Sequence, residues 1–236
     1  MTALPETVTR VLNEFLEAAK AACGPALKAG VLFGSAAEGR LRPASDVNLI
    51  LVISSFPSEA AAAISAPLRF AESAIKLRVM FLLDSEIPSA AQAFAQKFND
   101  ISKRRQVLFG ADPFAGISPP REALQRQVEQ VLLNLGIRLR ERAASDWRQE
   151  DLLGRALSDA VGPLRVCAQS ILELDGRSAD SPKAALEVLL STPGAPHPHL
   201  ASYYSRLREQ SPEPGTAGNA LMETMELIAW MRERNL

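Results

Sequence analysis

The sequence predicts an α/β (α+β) domain with a small mixed sheet, followed by an all-α helical-bundle domain. Three observations predict this. Up to residue 116, short runs rich in Val, Ile and Leu alternate with helical patterns. One of these runs ends in Gly34-Ser35, and the next opens on Ser45-Asp46-Val47-Asn48. Beyond Gly116-Ile117-Ser118-Pro119-Pro120 only helical patterns remain, and two consecutive prolines continue neither a helix nor a strand. The expected domains are therefore 1–116 and 117–236.

The elements follow in order. Pro5 starts a helix reaching about Ala22, with Val8, Val11, Leu12, Phe15 and Ala19 as its apolar stripe. Gly24-Pro25 ends it. Ala29–Phe33 reads as a buried strand, and Asp46–Ile53 as a second. Ser58 is positioned to cap an alanine-rich helix to about Phe70. A third strand spans Leu77–Leu83, a helix Ser89–Lys103, and a fourth strand Val107–Gly110. In the second half the periodicity predicts helices at 121–144, 148–175, 182–191, 197–210 and 216–234. Ser181-Pro182 supplies a cap followed by a first-turn proline.

Composition removes several function classes. Of the 236 residues, 47% are hydrophobic and 22% charged, as in ordinary globular proteins. No run approaches the ~20 apolar residues of a membrane span, so no membrane partner is expected. Cys23 and Cys167 form no CxxC pair, and with only two histidines there is no zinc spacing. A cytoplasmic location is the expectation. The net charge is −1 and evenly spread, which disfavours extended nucleic-acid binding but leaves room for a local nucleotide or small-molecule site.

The chemistry concentrates around the first two strands. A glycine closing a strand lets the backbone approach a phosphate, and the following amides and hydroxyl can donate to it. Asp46 and Asn48, two apart on one strand, face the same side about 7 Å from each other. Two carboxylates at that spacing could share a pair of magnesium ions. The stretch Val31–Gly39 with Ser45–Val52 resembles the signature of the DNA polymerase β-like nucleotidyltransferases, most of all the small bacterial minimal and kanamycin-type enzymes.

That resemblance implies a nucleoside triphosphate and Mg2+ as cofactors, with Gly34, Ser35, Gly39 and Ser45 at the nucleotide. It implies Asp46 as the first metal carboxylate. Several positions depart from it. Asn48 stands where the second acid belongs. Arg78, or failing it Lys76, stands where the third acid belongs, and a rival alignment makes Asp84 that acid. Ala36 and Glu38 replace two arginines of the phosphate turn, leaving Arg40 and Arg42 as compensating cations. If Arg78 replaces an acid, its guanidinium is expected to pair with Asp46. An active alternative keeps Asp46 with Asp84 or Glu86 on the metal.

Other features have plainer expectations. Lys103-Arg104-Arg105 reads as a solvated helix end favoured by the helix dipole. His197 and His199 flank Pro198 in an exposed loop. Tyr203 and Tyr204 are expected to pack, and Trp147 and Trp230 to anchor a core or an interface. The function expected is a nucleotide-binding or regulatory protein with lost or weakened nucleotidyl transfer. The alternatives are an active enzyme moving a nucleoside monophosphate to a small-molecule or protein hydroxyl, and a homodimeric interaction module using the helical domain.

Overall fold

In the computed structural model, residues 4–39, 41, 45–207 and 213–235 are described. The chain divides into two compact units, Met1–Pro119 and Pro120–Leu236. The division falls three residues beyond the expected one, because Phe114 and Ile117 pack into the core of the first unit.

The first unit runs α1 (Glu6–Cys23), β1 (Leu27–Phe33), β2 (Val47–Ile53), α2 (Ser58–Ile75), β3 (Leu77–Leu83), α3 (Ile87–Ala93), α4 (Ala95–Lys103) and β4 (Arg105–Phe109). Its sheet has the order β3-β2-β1-β4, with β2 and β3 parallel and the other pairs antiparallel. Alternation along the strands splits the apolar side chains between two layers. Leu32, Val47, Leu49, Leu51 and Leu77 bury against α1 and α2. Val31, Ile50, Val52 and Leu82 bury against α3 and α4 on the other face.

Local chemistry explains where these elements deviate from expectation. α2 runs through Pro67 to Ile75, because Ile64, Ala71 and Ile75 continue its buried face on both sides of the proline. Packing outweighs the lost hydrogen bond there. Ser58 is the first helical residue rather than the cap, and no side chain caps that end. Lys76, the reserve candidate for the third acid position, is no strand residue. It closes α2 in a left-handed conformation (φ 52°) and donates its N–H to the Ala71 carbonyl. The single helix expected over 89–103 is broken at Phe94 (φ −118°, ψ 47°), giving α3 and α4.

The second unit comprises α5 (Arg121–Asp146), α6 (Glu150–Leu174), α7 (Pro182–Leu190), α8 (Leu200–Leu207) and α9 (Ala217–Asn235). One core joins them, from Val128, Leu132 and Leu139 through Leu157, Leu164 and Ile171 to Leu221, Leu227 and Met231. Ser181 caps α7 as expected, its hydroxyl accepting from the Ala184 N–H at 3.1 Å. Tyr204 is buried, and its hydroxyl meets that of Thr224 at 2.8 Å. His197 and His199 lie in the loop before α8, His199 exposed and His197 half-buried; His197 Nε2 lies 2.6 Å from a Glu226 carboxylate oxygen, and His199 Nε2 lies 2.9 Å from Glu223. Trp147 is half exposed, with Gly218 directly beneath its ring. Among the described residues, no helix is long and apolar enough to cross a membrane.

Candidate functional site

The sheet topology brings the singled-out residues to one edge. β1 ends where β2, β3 and β4 begin, so the turn after Phe33 adjoins the entrances of the other three strands. One rung crosses the sheet there as Arg78, Asn48, Phe33 and Arg105. Paired residues point to the same face, and this face is the one covered farther along by α3 and α4.

Gly34 starts the turn at φ +71°, a left-handed conformation that a side chain would strain. Its N–H donates to the Arg104 carbonyl at 3.0 Å, which ties the turn to the approach to β4. Its own carbonyl accepts from Ala37 N–H at 3.1 Å and from Glu38 N–H at 3.3 Å. The Gly39 N–H closes the turn on the Ala36 carbonyl at 3.2 Å. A Cβ added at Gly34 would stand 3.9 Å from the Asn48 amide nitrogen. Asn48 is thus the side chain that overlooks the Gly34-Ser35 turn. Ser35 and Ser45 are half-buried, and Asp46 is exposed just ahead of β2. Arg40 and Arg42 lie outside the described residues.

The charges at this edge are arranged differently from the expectation. Glu38 does not stand as a bare anion beside the turn: Arg104 reaches it at 3.4 Å. Arg104 also holds Asp100, its Nε donating at 2.6 Å. Arg105 grips Asp112 with Nε and Nη2, the latter at 2.7 Å, and donates to the Ser102 carbonyl. That grip, helped by the Phe114 N–H, holds the Asp112 carboxyl below its ordinary range despite partial burial. Arg104 and Arg105 are therefore structural clamps, not a solvated helix end. Glu38 and Arg104 are 66 residues apart, and only the pairing of β1 with β4 joins them.

Arg78 is exposed and stands directly across the parallel pair from Asn48. The expected ion pair with Asp46 does not form: among the described residues, neither side chain takes an ion-pair partner. Asp46 precedes the rung by two residues, and both groups remain solvated, so little would be gained by closing that contact. On α4, the Lys97 ammonium sits over the Phe33 ring, 5.6 Å from its centre. This further cation near the rung leaves no signal in the sequence, where Lys97 is one lysine in a polar helix.

Asp84 cannot complete a site with Asp46. In the parallel register Val47 faces Leu77 and Ile53 faces Leu83, so Asp46 precedes one end of the pair and Asp84 follows the other. Seven residues of strand separate them, about 20 Å or more. Asp84 instead accepts from the Ser85 N–H at 2.7 Å, and Glu86 accepts from the Leu83 N–H at 3.0 Å. Both acids close the end of β3. The remaining donor set suits a pair of magnesium ions poorly. It offers one exposed carboxylate at Asp46, one neutral amide at Asn48 and a permanent cation in the same rung. Among the described residues, no group of three or more His, Cys, Asp and Glu side chains is placed to hold a metal ion.

No protein-family model and no curated protein matches this chain. Among solved structures it is similar to the spectinomycin adenyltransferase AAD(9) from Enterococcus faecialis, determined with ATP and spectinomycin. The TM-score is 0.62 at 13% identity, over 96% of this chain and 98% of that one. The likeness is one of fold, and with the mixed four-stranded sheet it supports one conclusion: the chain has the fold of a nucleotidyltransferase domain followed by a helical region.

Proposed function

We propose that this protein is a nucleotide-binding member of the nucleotidyltransferase fold in which magnesium-dependent nucleotidyl transfer is lost or severely weakened. One observation carries this reading. The parallel register sets Arg78 opposite Asn48, in the rung beside the Gly34-Ser35 turn, where the resemblance calls for carboxylates. Two-metal transfer needs concentrated negative charge to hold the ions that activate the attacking hydroxyl and stabilise the leaving phosphate. A neutral amide and a guanidinium supply the opposite. The phosphate turn keeps its glycine geometry and its serine, so the binding half of the chemistry survives without the metal half.

The competing reading is an active enzyme that adenylylates a small hydroxyl compound. It is favoured by the AAD(9) likeness, a protein solved with ATP and spectinomycin. A transfer assay separates the two. Purified protein is incubated with α-labelled nucleoside triphosphates, Mg2+ and a panel of acceptors including spectinomycin and aminoglycosides. The expected result is no label transfer above buffer, with ATP still raising the thermal unfolding midpoint. Multiple-turnover, Mg2+-dependent transfer to any acceptor would overturn the proposal.

A further inference from the structure

The charges around the phosphate turn carry the reading of this edge as a nucleotide site one step further. Each acid near the turn except Asp46 already has a cation. Glu38 and Asp100 are taken by Arg104, and Asp112 by Arg105. Among the described residues, two exposed cations remain at or beside the rung: Arg78 across from Asn48, and Lys97 over Phe33. Among the described residues, four cations and four carboxylates balance at this edge, so it carries no excess of negative charge to hold a divalent ion. Acids at a nucleotide site need divalent ions to bridge them to phosphate oxygens. A guanidinium needs no bridge, because its planar fork donates to a phosphate directly and in bidentate fashion.

We infer that Arg78 takes the place of the metal ions, so that this site binds the phosphates of a nucleoside di- or triphosphate directly, without magnesium. The inference rests on the nucleotide-site reading above. It has a consequence of definite sign. Mg2+ complexed to a triphosphate neutralises the charge that Arg78 would meet, so the free nucleotide is the better ligand. Magnesium then weakens binding, the reverse of a metal-dependent site. Asn48 fits this role too, since its amide nitrogen, close to Gly34, donates to a phosphate oxygen where a carboxylate would repel it.

Calorimetric titration of the full chain with ATP, ADP, inorganic pyrophosphate and adenosine, each in EDTA and in excess Mg2+, tests this. The expected result is that ATP and pyrophosphate bind in EDTA and bind more weakly in Mg2+, while adenosine binds poorly. Arg78→Ala should lose about 10- to 100-fold in ATP affinity, the value of a charge-assisted bidentate contact. Because Arg78 is exposed, its unfolding midpoint should stay at the wild-type value. A second variant, N48D/R78E, should reverse the sign, binding Mn2+ by electron paramagnetic resonance and requiring divalent metal for ATP. Binding that needs Mg2+, or that is unchanged in Arg78→Ala, overturns the inference and leaves the nucleotide reading standing. Absence of binding by ATP, ADP and pyrophosphate in both buffers overturns both.

Discussion

Arg105 and Asp112 illustrate how much a single contact near the edge decides. The two side chains form a forked, partly buried ion pair, and the Phe114 N–H adds a third donor to the carboxylate. Because the folded state holds the Asp112 carboxyl below its ordinary value of about 3.9, the pair stabilises the fold fully above that pH. The contribution is lost as pH falls through the lowered folded value. Asp112→Asn is therefore expected to cost about 1–2 kcal/mol near neutrality, the scale of a charge-assisted hydrogen bond that is partly solvated. Urea unfolding checks this: the variant and parent midpoints should differ at pH 7 and converge as the pH falls through the lowered folded value. Equal midpoints at pH 7 would reduce Arg105 to an ordinary surface cation, and the reading of Arg104-Arg105 as clamps would lose half its support.

At the scale of elements, a buried hydroxyl pair joins α8 to α9. The Thr224 hydroxyl lies 2.6 Å from the Ala220 carbonyl and donates to it, so Tyr204 is the donor in the 2.8 Å contact between the two hydroxyls. Burial holds the Tyr204 phenol well above its usual range, so it stays protonated and able to donate. Tyr204→Phe keeps the ring and removes that donor, leaving a buried lone pair on Thr224 unsatisfied. The expected loss is about 1–2 kcal/mol, read as a lower denaturant midpoint with an unchanged slope. Thr224→Val in the Phe background should recover part of it, since removing both partners is cheaper than removing one. Additive losses would show that the two hydroxyls act independently.

At the scale of the molecule, each unit owns its core. Among the described residues, the core of the second unit, from Val128 to Met231, is built from α5 to α9. The fragment Pro120–Leu236 is therefore expected to fold alone, with a helical circular dichroism spectrum and a cooperative thermal transition. A fragment that stays unfolded, or melts without cooperativity, would show that the helical region needs the first unit. Much of this architecture was legible from residue order. Helical periodicity located α5 to α9 to within a few residues, because their apolar stripes are long and, beyond α6, their breaks are marked by proline and glycine. Short elements were harder: Phe94 carries no breaker chemistry, so the break between α3 and α4 left no trace in the pattern.

Residue order was enough to place the strands and the Gly34-Ser35 turn, since strand alternation and turn chemistry are local properties. What Asn48, Arg78 and Glu38 meet was settled by the tertiary structure. Glu38 finds Arg104 across 66 residues. Arg78 faces Asn48 rather than pairing with Asp46, and Asp84 is carried to the far end of the parallel pair. Each outcome depends on which strands neighbour one another and in what register. Residue order carries little of that information, because pairing partners are chosen by the burial of whole strand faces, and ion pairs form afterwards among whatever charges the chosen register brings together.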